Sequence, residues 1–344
     1  MSETPLDESA VGDGRPGRAA RTAAPTIYDI AKLAGVNPST VSRALSRPGR
    51  INVRTEERIR AAAKELNYRV NPIARALPTG RTRTLGLLVA DITNPVVFGI
   101  VRGAEHAATE RGYTLVIAES EESGEREAVT AERILPSVDG VILATTRLGD
   151  PQIRRIAERK PVVLLNRVVE GVECILPDLE VGVTAAVQHL NDLGHRRLVY
   201  LAGPATSWIS RKRGELITAA ATERGMTVEQ VDGGTPTLDA GREAFDEVRV
   251  RDATAVFSYN DLMAIGLLRE AGRRGTPVPE IFSLIGFDDI FGSDFTVPPL
   301  TTIRSPLDRA GRRAVLTILG EEDEEDAVLL TELVVRSSTA PPSA

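Results

Sequence analysis

The first periodic segment of the chain has the spacing of a short amphipathic helix. It covers residues 26–35, and its apolar stripe contains Ile27, Ile30, Ala31 and Ala34. Thr26 and Asp29 have the spacing of a capping box, and Gly35 is a typical C-terminal stop. We therefore predict a helix that begins after Thr26 and ends at Gly35.

Two more helices are predicted close behind the first. The second has Asn37 as its N-cap and Pro38 in its first turn, and it extends to residue 46. Its inward positions are Val41, Ala44 and Leu45, and its outward positions are Ser39, Ser42 and Arg43. The third helix is predicted from about Val53 to Tyr68, with an apolar face of Ile59, Ala62, Ala63 and Leu66. This order is that of a helix-turn-helix domain, with a plain three-helix bundle as the alternative.

From residue 85 onward, short apolar runs alternate with longer amphipathic segments. The predicted strands are 85–92, 114–120, 138–145, 161–167, 196–203, 253–261 and 282–289. The predicted helices are 95–111, 125–135, 150–159, 179–193, 211–224, 239–248 and 262–274. Strands joined by helical crossovers indicate parallel sheets covered on both faces. We predict an α/β fold: an N-terminal helix-turn-helix domain followed by a core of two doubly wound lobes with a cleft between them.

Polar residues stand at the carboxyl ends of these predicted strands. They are Asp91, Asn94, Asn166, Asn260 and Asp288. In open α/β sheets, ligands bind beyond the carboxyl ends of the strands. The cleft is therefore the predicted ligand site.

The change of pattern along the chain predicts four parts. Residues 1–24 have no hydrophobic period and are predicted to be a disordered tail, and residues 25–70 form the helix-turn-helix domain. Residues 71–84 are a hinge helix and an exposed basic linker, and residues 85–340 are the core. The hinge helix, 71–77, is too short to be stable alone, so DNA or a partner chain must order it.

Charge separates the N-terminal module from the core. Residues 26–83 contain 12 basic and 4 acidic residues, although the 344-residue chain has a net charge of −6. A basic module on an acidic body indicates a polyanionic partner such as nucleic acid. A solvated basic face without a partner is the alternative.

Composition and motifs exclude several classes of protein. One cysteine, Cys174, and three separated histidines predict no disulfide framework, no metal site and no cofactor. No apolar run reaches the ~18 residues of a membrane span, and the N-terminus lacks the apolar core of a signal peptide. We expect a soluble cytoplasmic protein, which weighs against a periplasmic solute receptor. The chain contains no phosphate-binding loop, nucleophile elbow or dinucleotide fingerprint, so we expect no enzyme.

Several ordered motifs together resemble the lactose-repressor/galactose-repressor (LacI/GalR) family. They are TIYDIAKLAGVNPSTVSRAL (26–45), NPIARAL (71–77), DITNPVVFGIVRGAE (91–105), HLNDLGHRRLVYLAGP (189–204), FSYNDLMAIG (257–266), IGFDDI (285–290) and PPLTTI (298–303). The resemblance implies a homodimeric repressor that binds a near-palindromic operator in double-stranded DNA. It also implies a small-molecule effector, a sugar or sugar derivative, in the cleft. Lobe 1 would comprise about 85–178 and 304–322, and lobe 2 about 179–303 and 327–340.

The resemblance also implies DNA-binding residues. Base contacts fall on Pro38, Ser39, Ser42 and Arg43, and phosphate contacts on Thr26, Tyr28, Asn37 and Thr40. In the hinge helix, Ala74 and Leu77 would enter the minor groove, with Leu77 as the wedge that kinks the central step. Pro38 and Pro78 depart from the family pattern.

Effector-binding residues are implied in the same way. They are Asp91, Phe98, Asn166, Trp208, Arg211, Asn260 and Asp288. Phe98 would form an aromatic wall, Trp208 would lie in a loop and stack on a sugar, and Arg211 would grip ligand oxygens. Structural alternatives remain: Asn260 and Asp288 cap the following helices, and Arg211 pairs with a carboxylate.

Overall fold

The structure is a computed structural model that describes residues 25–46, 49–68, 80–321 and 328–343. The chain divides into two compact units, one before and one from Gly80. The predicted tail 1–24 and the predicted hinge helix 71–77, with Ala74 and Leu77, lie outside the described residues.

The first unit contains the three predicted helices. They are α1 (Ile27–Ala34), α2 (Pro38–Ser46) and α3 (Val53–Glu65). Residues from all three form its core: Ile30, Ala31, Ala34, Val41, Ala44, Ile59 and Ala62. Gly35 ends α1 with a φ of 63°, which lets the chain turn into α2. The third helix ends earlier than the predicted Tyr68, because Asn67 takes a left-handed φ of 53°.

The second unit alternates strands and helices. The strands are β1 (Thr84–Val89), β2 (Thr114–Glu119), β3 (Gly140–Ala144), β4 (Val162–Leu165), β5 (Glu173–Ile175), β6 (Arg197–Ala202), β7 (Thr227–Asp232), β8 (Ala255–Ser258), β9 (Ser283–Asp288), β10 (Thr301–Arg304) and β11 (Glu332–Val334). The helices are α4 (Val96–Glu110), α5 (Gly124–Ile134), α6 (Asp150–Ala157), α7 (Leu179–Asp192), α8 (Trp208–Thr222), α9 (Leu238–Glu243), α10 (Phe245–Arg249), α11 (Asp261–Arg273) and α12 (Leu307–Leu319).

The strands form two sheets, which define two lobes. Lobe 1 has a parallel sheet in the order β2-β1-β3-β4-β5, with α4 and α12 on one face and α5 and α6 on the other. Lobe 2 has the order β11-β10-β9-β8-β6-β7, and only its edge strand β11 is antiparallel. The predicted pair of doubly wound lobes is confirmed.

In lobe 1, α4 and α12 approach closely through glycines. A Cβ added at Gly103 would lie 1.8 Å from the backbone oxygen of Asp308, and one at Gly311 would lie 2.1 Å from that of Ile100. No side chain fits at either position without moving a helix.

Two of the segments that connect the lobes are hydrogen-bonded to each other. Asp178, between β5 and α7, donates its backbone N–H to Leu329 O (2.7 Å). The backbone oxygen of Asp178 accepts from the N–H of Thr331 (3.3 Å) and from its hydroxyl (2.5 Å). The segment before α7 and the segment before β11 therefore run side by side.

The segment that leads into β1 is hydrogen-bonded to a single carboxylate. Asp139 accepts from the backbone N–H of Thr82 (2.7 Å), from its hydroxyl (2.9 Å) and from the backbone N–H of Arg83 (2.9 Å). The prediction of an exposed linker over 81–84 is therefore wrong in part, because Thr82 is anchored and Thr84 already belongs to β1.

The C-terminal segment around Thr339 and Ala340 lies against lobe 2, where two histidines contact it. The Nε2–H of His195 donates to Ala340 O (2.9 Å), and the hydroxyl of Thr254 lies 2.8 Å from Nδ1. His189 Nε2 lies 2.9 Å from the Thr339 hydroxyl. Burial lowers the pKa of both rings.

The predicted elements did not include strands β5, β7 and β10 or helix α12, and they merged two helices. Strands β5 and β7 lie at sheet edges and carry mostly exposed residues, so they lack a buried apolar run. Strand β10 was not predicted as an element. The helix predicted over 239–248 is two short helices, α9 and α10, separated at Ala244.

Candidate functional site

The exposed face of α2 carries the side chains predicted to contact bases. Ser39, Ser42 and Arg43 are exposed, whereas Val41 and Ala44 on the opposite face are buried. Small hydroxyls and a guanidinium near the start of a recognition helix can reach base edges in the major groove. Flanking these positions, Asn37 is exposed, and Pro38 and Thr40 are half-buried.

Thr26 has a structural role at the start of α1. The carboxylate of Asp29 accepts from the backbone N–H and the hydroxyl of Thr26, both at 2.7 Å. These bonds lower the pKa of Asp29. Tyr28, one residue inside the helix, is 68% exposed and available for contact.

In the core, strand ends from both lobes line one cleft. All five strand-end residues predicted for the cleft lie there: Asp91, Asn94, Asn166, Asn260 and Asp288. Four lining residues have left-handed backbones: Glu122 (φ 58°), Thr145 (φ 57°), Asn166 (φ 60°) and Asp288 (φ 100°). Such conformations cost about 1–3 kcal/mol each for non-glycine residues and cluster at functional sites.

The arginine on the lobe 2 wall of the cleft is Arg213. Its Nη2 donates to Asp288 Oδ1 (2.7 Å) and its Nη1 to Tyr259 O (2.6 Å). The guanidinium lies 3.6 Å from the centre of the Phe287 ring, and the side chain is only 4% exposed. Its Nε is buried without a hydrogen-bond partner among the described residues.

The prediction that Arg211 grips ligand oxygens is wrong in its register. Arg211 is exposed, and its Nη1 donates to the backbone oxygen of Ala205 (3.0 Å). Because an α-helix turns by about 100° per residue, two positions place Arg211 and Arg213 on opposite sides of α8. The predicted alternative of an arginine paired with a carboxylate holds for Arg213.

Two aromatic residues predicted for the cleft do not line it. Phe98 is 53% exposed, and the neighbouring Val96 and Val97 face the cleft instead. Trp208 is the first residue of α8, not a loop residue, and it packs against the core of lobe 2. Both roles were implied by the family resemblance; α8 begins three residues before its predicted start, whereas α4 begins at Val96, one residue after its predicted start.

Lobe 1 contributes a second buried ion pair that the sequence did not indicate. Arg147 donates through Nε to Glu122 Oε2 (2.8 Å) and through Nη1 to Thr145 O (2.7 Å). Its Nη2 lies 2.6 Å from the same carboxylate oxygen, and its side chain is 4% exposed. Arg147, Glu122 and Thr145 all line the cleft.

Asn260 performs the capping role that was its predicted alternative. Its side-chain oxygen accepts from the Met263 N–H at the start of α11 (3.0 Å), and its amide donates to Pro236 O (3.3 Å). The next residue, Asp261, is completely buried and accepts from the Thr302 hydroxyl (2.6 Å). Burial, reinforced by the charge of Asp288, raises the pKa of Asp261 to about 8.

The cleft has a volume of about 520 Å³ with its open mouth included.

The described residues contain neither a cluster of metal ligands nor a membrane-spanning helix. In 25–46, 49–68, 80–321 and 328–343, no three His, Cys, Asp or Glu residues are grouped so as to hold a metal ion. Within the same ranges, no helix has the length and apolar character to cross a membrane.

A signal for Arg213 was present in the sequence. With Ser207 as N-cap and Trp208 as the first residue of α8, the helical period brings Ile209, Arg213 and Ile217 to the buried side. Arg211 was chosen because of the family resemblance, whereas the helical period favours Arg213 as the buried arginine. Nothing in the local sequence pairs Arg147 with Glu122, because they follow β3 and β2, the two strands that flank β1 in the assembled sheet.

The chain is similar to known transcriptional repressors over most of its length. Residues 26–71 match "Bacterial regulatory proteins, lacI family", and residues 187–339 match "Periplasmic binding protein-like domain". The HTH-type transcriptional repressor CytR of Escherichia coli (strain K12) is 33% identical over 331 residues, 92% of this chain and 96% of that protein. The ribose operon repressor of the same strain is 34% identical over 302 residues, 84% of this chain and 91% of that protein.

A solved structure extends the similarity to the fold. The lac repressor dimer bound to operator and the anti-inducer ONPF matches with a TM-score of 0.80 and 26% identity. The match covers 92% of this chain and all of that one. The family resemblance and the fold class predicted from the sequence are both confirmed: the chain belongs to the lacI family of bacterial regulatory proteins.

Proposed function

We propose that this chain is a cytoplasmic repressor that binds a near-palindromic operator as a homodimer and acts without a catalytic step. The observation that carries the proposal is the exposed polar face of α2, presented by a compact helix-turn-helix domain. In each half-site, Arg43 donates to a guanine, and Ser39 and Ser42 adjust to the neighbouring bases. The lac repressor structure, a dimer on its operator, supports this arrangement.

Thr26, Tyr28, Asn37 and Thr40 are the proposed phosphate contacts, and Pro38 offers only van der Waals contact. Phosphate contacts fix the register of a protein on DNA but do not read its sequence. The hydroxyl of Thr26 is engaged by Asp29. We therefore assign the Thr26 contact to the start of α1 as a whole, where backbone N–H groups attract an anion.

The effector is proposed to be a sugar or sugar derivative bound between the lobes. Asp91, Asn166 and Asp288 supply hydrogen-bonding groups, and Arg213 takes the role predicted for Arg211. Asn260 lines the same cleft, but both ends of its amide are already engaged, so its role is to fix α11. The ribose operon repressor, named for a sugar operon, supports this class of effector.

A selection experiment tests the proposed DNA binding. The full chain is used to enrich duplexes from a random pool at one fixed salt concentration, because salt governs non-specific binding. We expect a single enriched sequence with two-fold symmetry. Failure to enrich any sequence, or enrichment of an asymmetric one, contradicts the proposal.

The effector is then sought by operator release. Fluorescence anisotropy on the enriched duplex is measured with a panel of pentoses, hexoses, disaccharides and nucleosides. We expect one sugar or close derivative to change operator affinity. An effector without hydroxyl groups would contradict the proposed class.

A further inference from the structure

We propose that the cleft accepts an uncharged polyhydroxy ligand and excludes the phosphorylated or carboxylated form of the same sugar. The inference rests on the proposed function, because it takes the cleft as the effector site. It goes further by fixing the charge of the effector. The argument depends on how the two arginines of the cleft are already paired.

The positive charge on the lobe 2 wall is neutralised within the protein. Arg213 pairs with Asp288 at 2.7 Å, and the two side chains are 4% and 8% exposed. The Ser305 hydroxyl adds a hydrogen bond to the same carboxylate oxygen at 3.3 Å. The guanidinium is also covered by the Phe287 ring, which leaves it no freedom to turn toward a different anion.

The positive charge on the lobe 1 wall is neutralised in the same manner. Two nitrogens of Arg147 contact Glu122 Oε2, at 2.8 Å and 2.6 Å, and a third donates to Thr145 O. The backbone N–H of Arg147 donates to the buried carboxylate of Glu127 (2.7 Å). Arg147 is therefore held from both its side chain and its backbone.

The charged residues that line the cleft sum to a net negative charge. The carboxylates are Asp91, Glu122 and Asp288, and the guanidiniums are Arg147 and Arg213. Both cations are paired, so a phosphate group entering the cleft would lose its water without gaining an uncommitted positive charge. Burying an unpaired anion is strongly unfavourable.

A neutral polyol avoids the cost of burying an unpaired charge in the cleft. Its hydroxyls donate to the carboxylates and accept from guanidinium N–H groups and from Asn94 and Asn166. The Nε–H of Arg213 is an unsatisfied donor, since it is buried without a hydrogen-bond partner among the described residues. A hydroxyl oxygen satisfies that donor and brings no charge into the cleft.

Matched sugar pairs test the inference on the full-length protein. D-Ribose is compared with D-ribose 5-phosphate, and D-glucose with D-glucose 6-phosphate, by thermal shift and calorimetry at constant ionic strength. We expect the neutral member of any pair that binds to do so at least tenfold more tightly than its phosphate. Equal or tighter binding of the phosphate overturns the inference.

If neither the sugar nor its phosphate binds, a variant that removes a negative charge from the cleft tests the inference. Glu122→Gln leaves Arg147 in place but removes its counter-charge, and Glu132→Gln is the matched control, because Glu132 pairs with Arg159 on the exposed surface of α5. The probes are inorganic phosphate and both phosphorylated sugars. We expect Glu122→Gln to bind them, and we expect no binding by Glu132→Gln or by the unsubstituted protein. If Glu122→Gln gains no anion binding while its thermal unfolding stays cooperative, internal pairing is not what excludes anions, and the inference is wrong.

Asp288→Asn repeats the measurement on the other wall. We expect it also to admit phosphate, through the released Arg213. Should Glu122→Gln fail to fold, Asp288→Asn carries the test with the same control, and absence of anion binding by a folded variant has the same meaning.

Failure here is distinguishable from failure of the proposed function. If a neutral sugar binds but leaves operator affinity unchanged, the effector role fails and the charge selectivity stands. If a phosphorylated sugar releases the operator, the effector role stands and the charge selectivity fails.

Discussion

Arg213 and Arg211 stand two residues apart on one helix, in opposite environments. Arg213→Ala leaves Asp288 charged and 8% exposed, and breaking a buried pair in this way costs about 3–5 kcal/mol. Arg211→Ala removes an exposed side chain, and such changes usually stay within about 0.5 kcal/mol. Urea denaturation measures both free energies of unfolding.

The same two variants separate a binding role from a surface role. We expect Arg213→Ala to abolish the response to the effector found by operator release, and Arg211→Ala to retain it. Similar losses of stability in the two variants would contradict the burial of Arg213.

At the level of single residues, the sequence identified strand-end positions better than helix positions. Asp91, Asn166 and Asp288 line the cleft as predicted, because parallel strands bring their carboxyl ends to one edge whatever their exact length. Phe98 and Arg211, whose roles were implied by the family resemblance, lie on helices and do not line the cleft. Arg147 and Glu122 could not be predicted, since only the assembled sheet places them together.

The contact between α4 and α12 gives a prediction at the level of elements. Gly103→Ala would place a methyl group 1.8 Å from the backbone oxygen of Asp308, so the helices must separate. Overpacking of this kind costs typically 1–3 kcal/mol. The control is Gly272→Ala in α11, where no atom lies within 4 Å of the added Cβ, and we expect it to stabilise the protein by about 0.5–1 kcal/mol.

Urea midpoints of the two alanine variants and the unsubstituted protein provide the comparison. A Gly103→Ala variant as stable as the original would show that the two helices have room to move apart. The paired design matters because both substitutions remove the same backbone freedom from the unfolded chain.

The attachment of the C-terminal segment predicts a pH dependence. The folded-state pKa of His195 lies below its unfolded value of about 6.5. As pH falls below about 6.5, the unfolded chain binds a proton that the folded ring resists, so the free energy of unfolding decreases until the folded pKa is passed. At pH 7.5 this contribution is fully present.

Chemical denaturation at pH 7.5 and 5.5 measures that loss. We expect His195→Gln to show a smaller loss between the two pH values than the unsubstituted protein. His106→Gln serves as the control, because His106 is exposed on α4. An unchanged loss in His195→Gln would assign the acid sensitivity to other groups.

Most helices and central strands were predictable as elements, whereas the polar edge strands β5 and β7 were not. β3 and β4 are buried along their whole length, so each appears in the sequence as a continuous apolar run. β7 has one buried residue, Val231, and its polar composition resembles a loop. Its strand conformation comes from pairing with β6, which the local sequence does not encode.

At the scale of the whole molecule, the two-fold symmetry of the proposed operator gives the remaining prediction. Arg43→Ala should cost about 1–3 kcal/mol per half-site and relax preference at one base pair. Leu77→Ala should weaken operator binding more than binding to a scrambled duplex, because only a kinked complex uses a wedge. Leu77 lies outside the described residues.

Anisotropy on both duplexes at one salt concentration tests this prediction. Equal losses of affinity for operator and scrambled duplex in Leu77→Ala would mean that the hinge only tethers the two units. Such a result would leave the prediction for Arg43 untouched, since that contact is made by a different element.

The hydrogen bonds between Asp178 and residues 329–331 lie at the carboxyl end of the strands of lobe 1. Asp139 accepts hydrogen bonds from Thr82 and Arg83 at the opposite end. Strand β1 spans that distance with six residues, about 17 Å at 3.3 Å per step. A rotation of lobe 1 about the Asp178 hydrogen bonds would displace the chain at Thr82 and Arg83 by about 0.3 Å per degree over this distance.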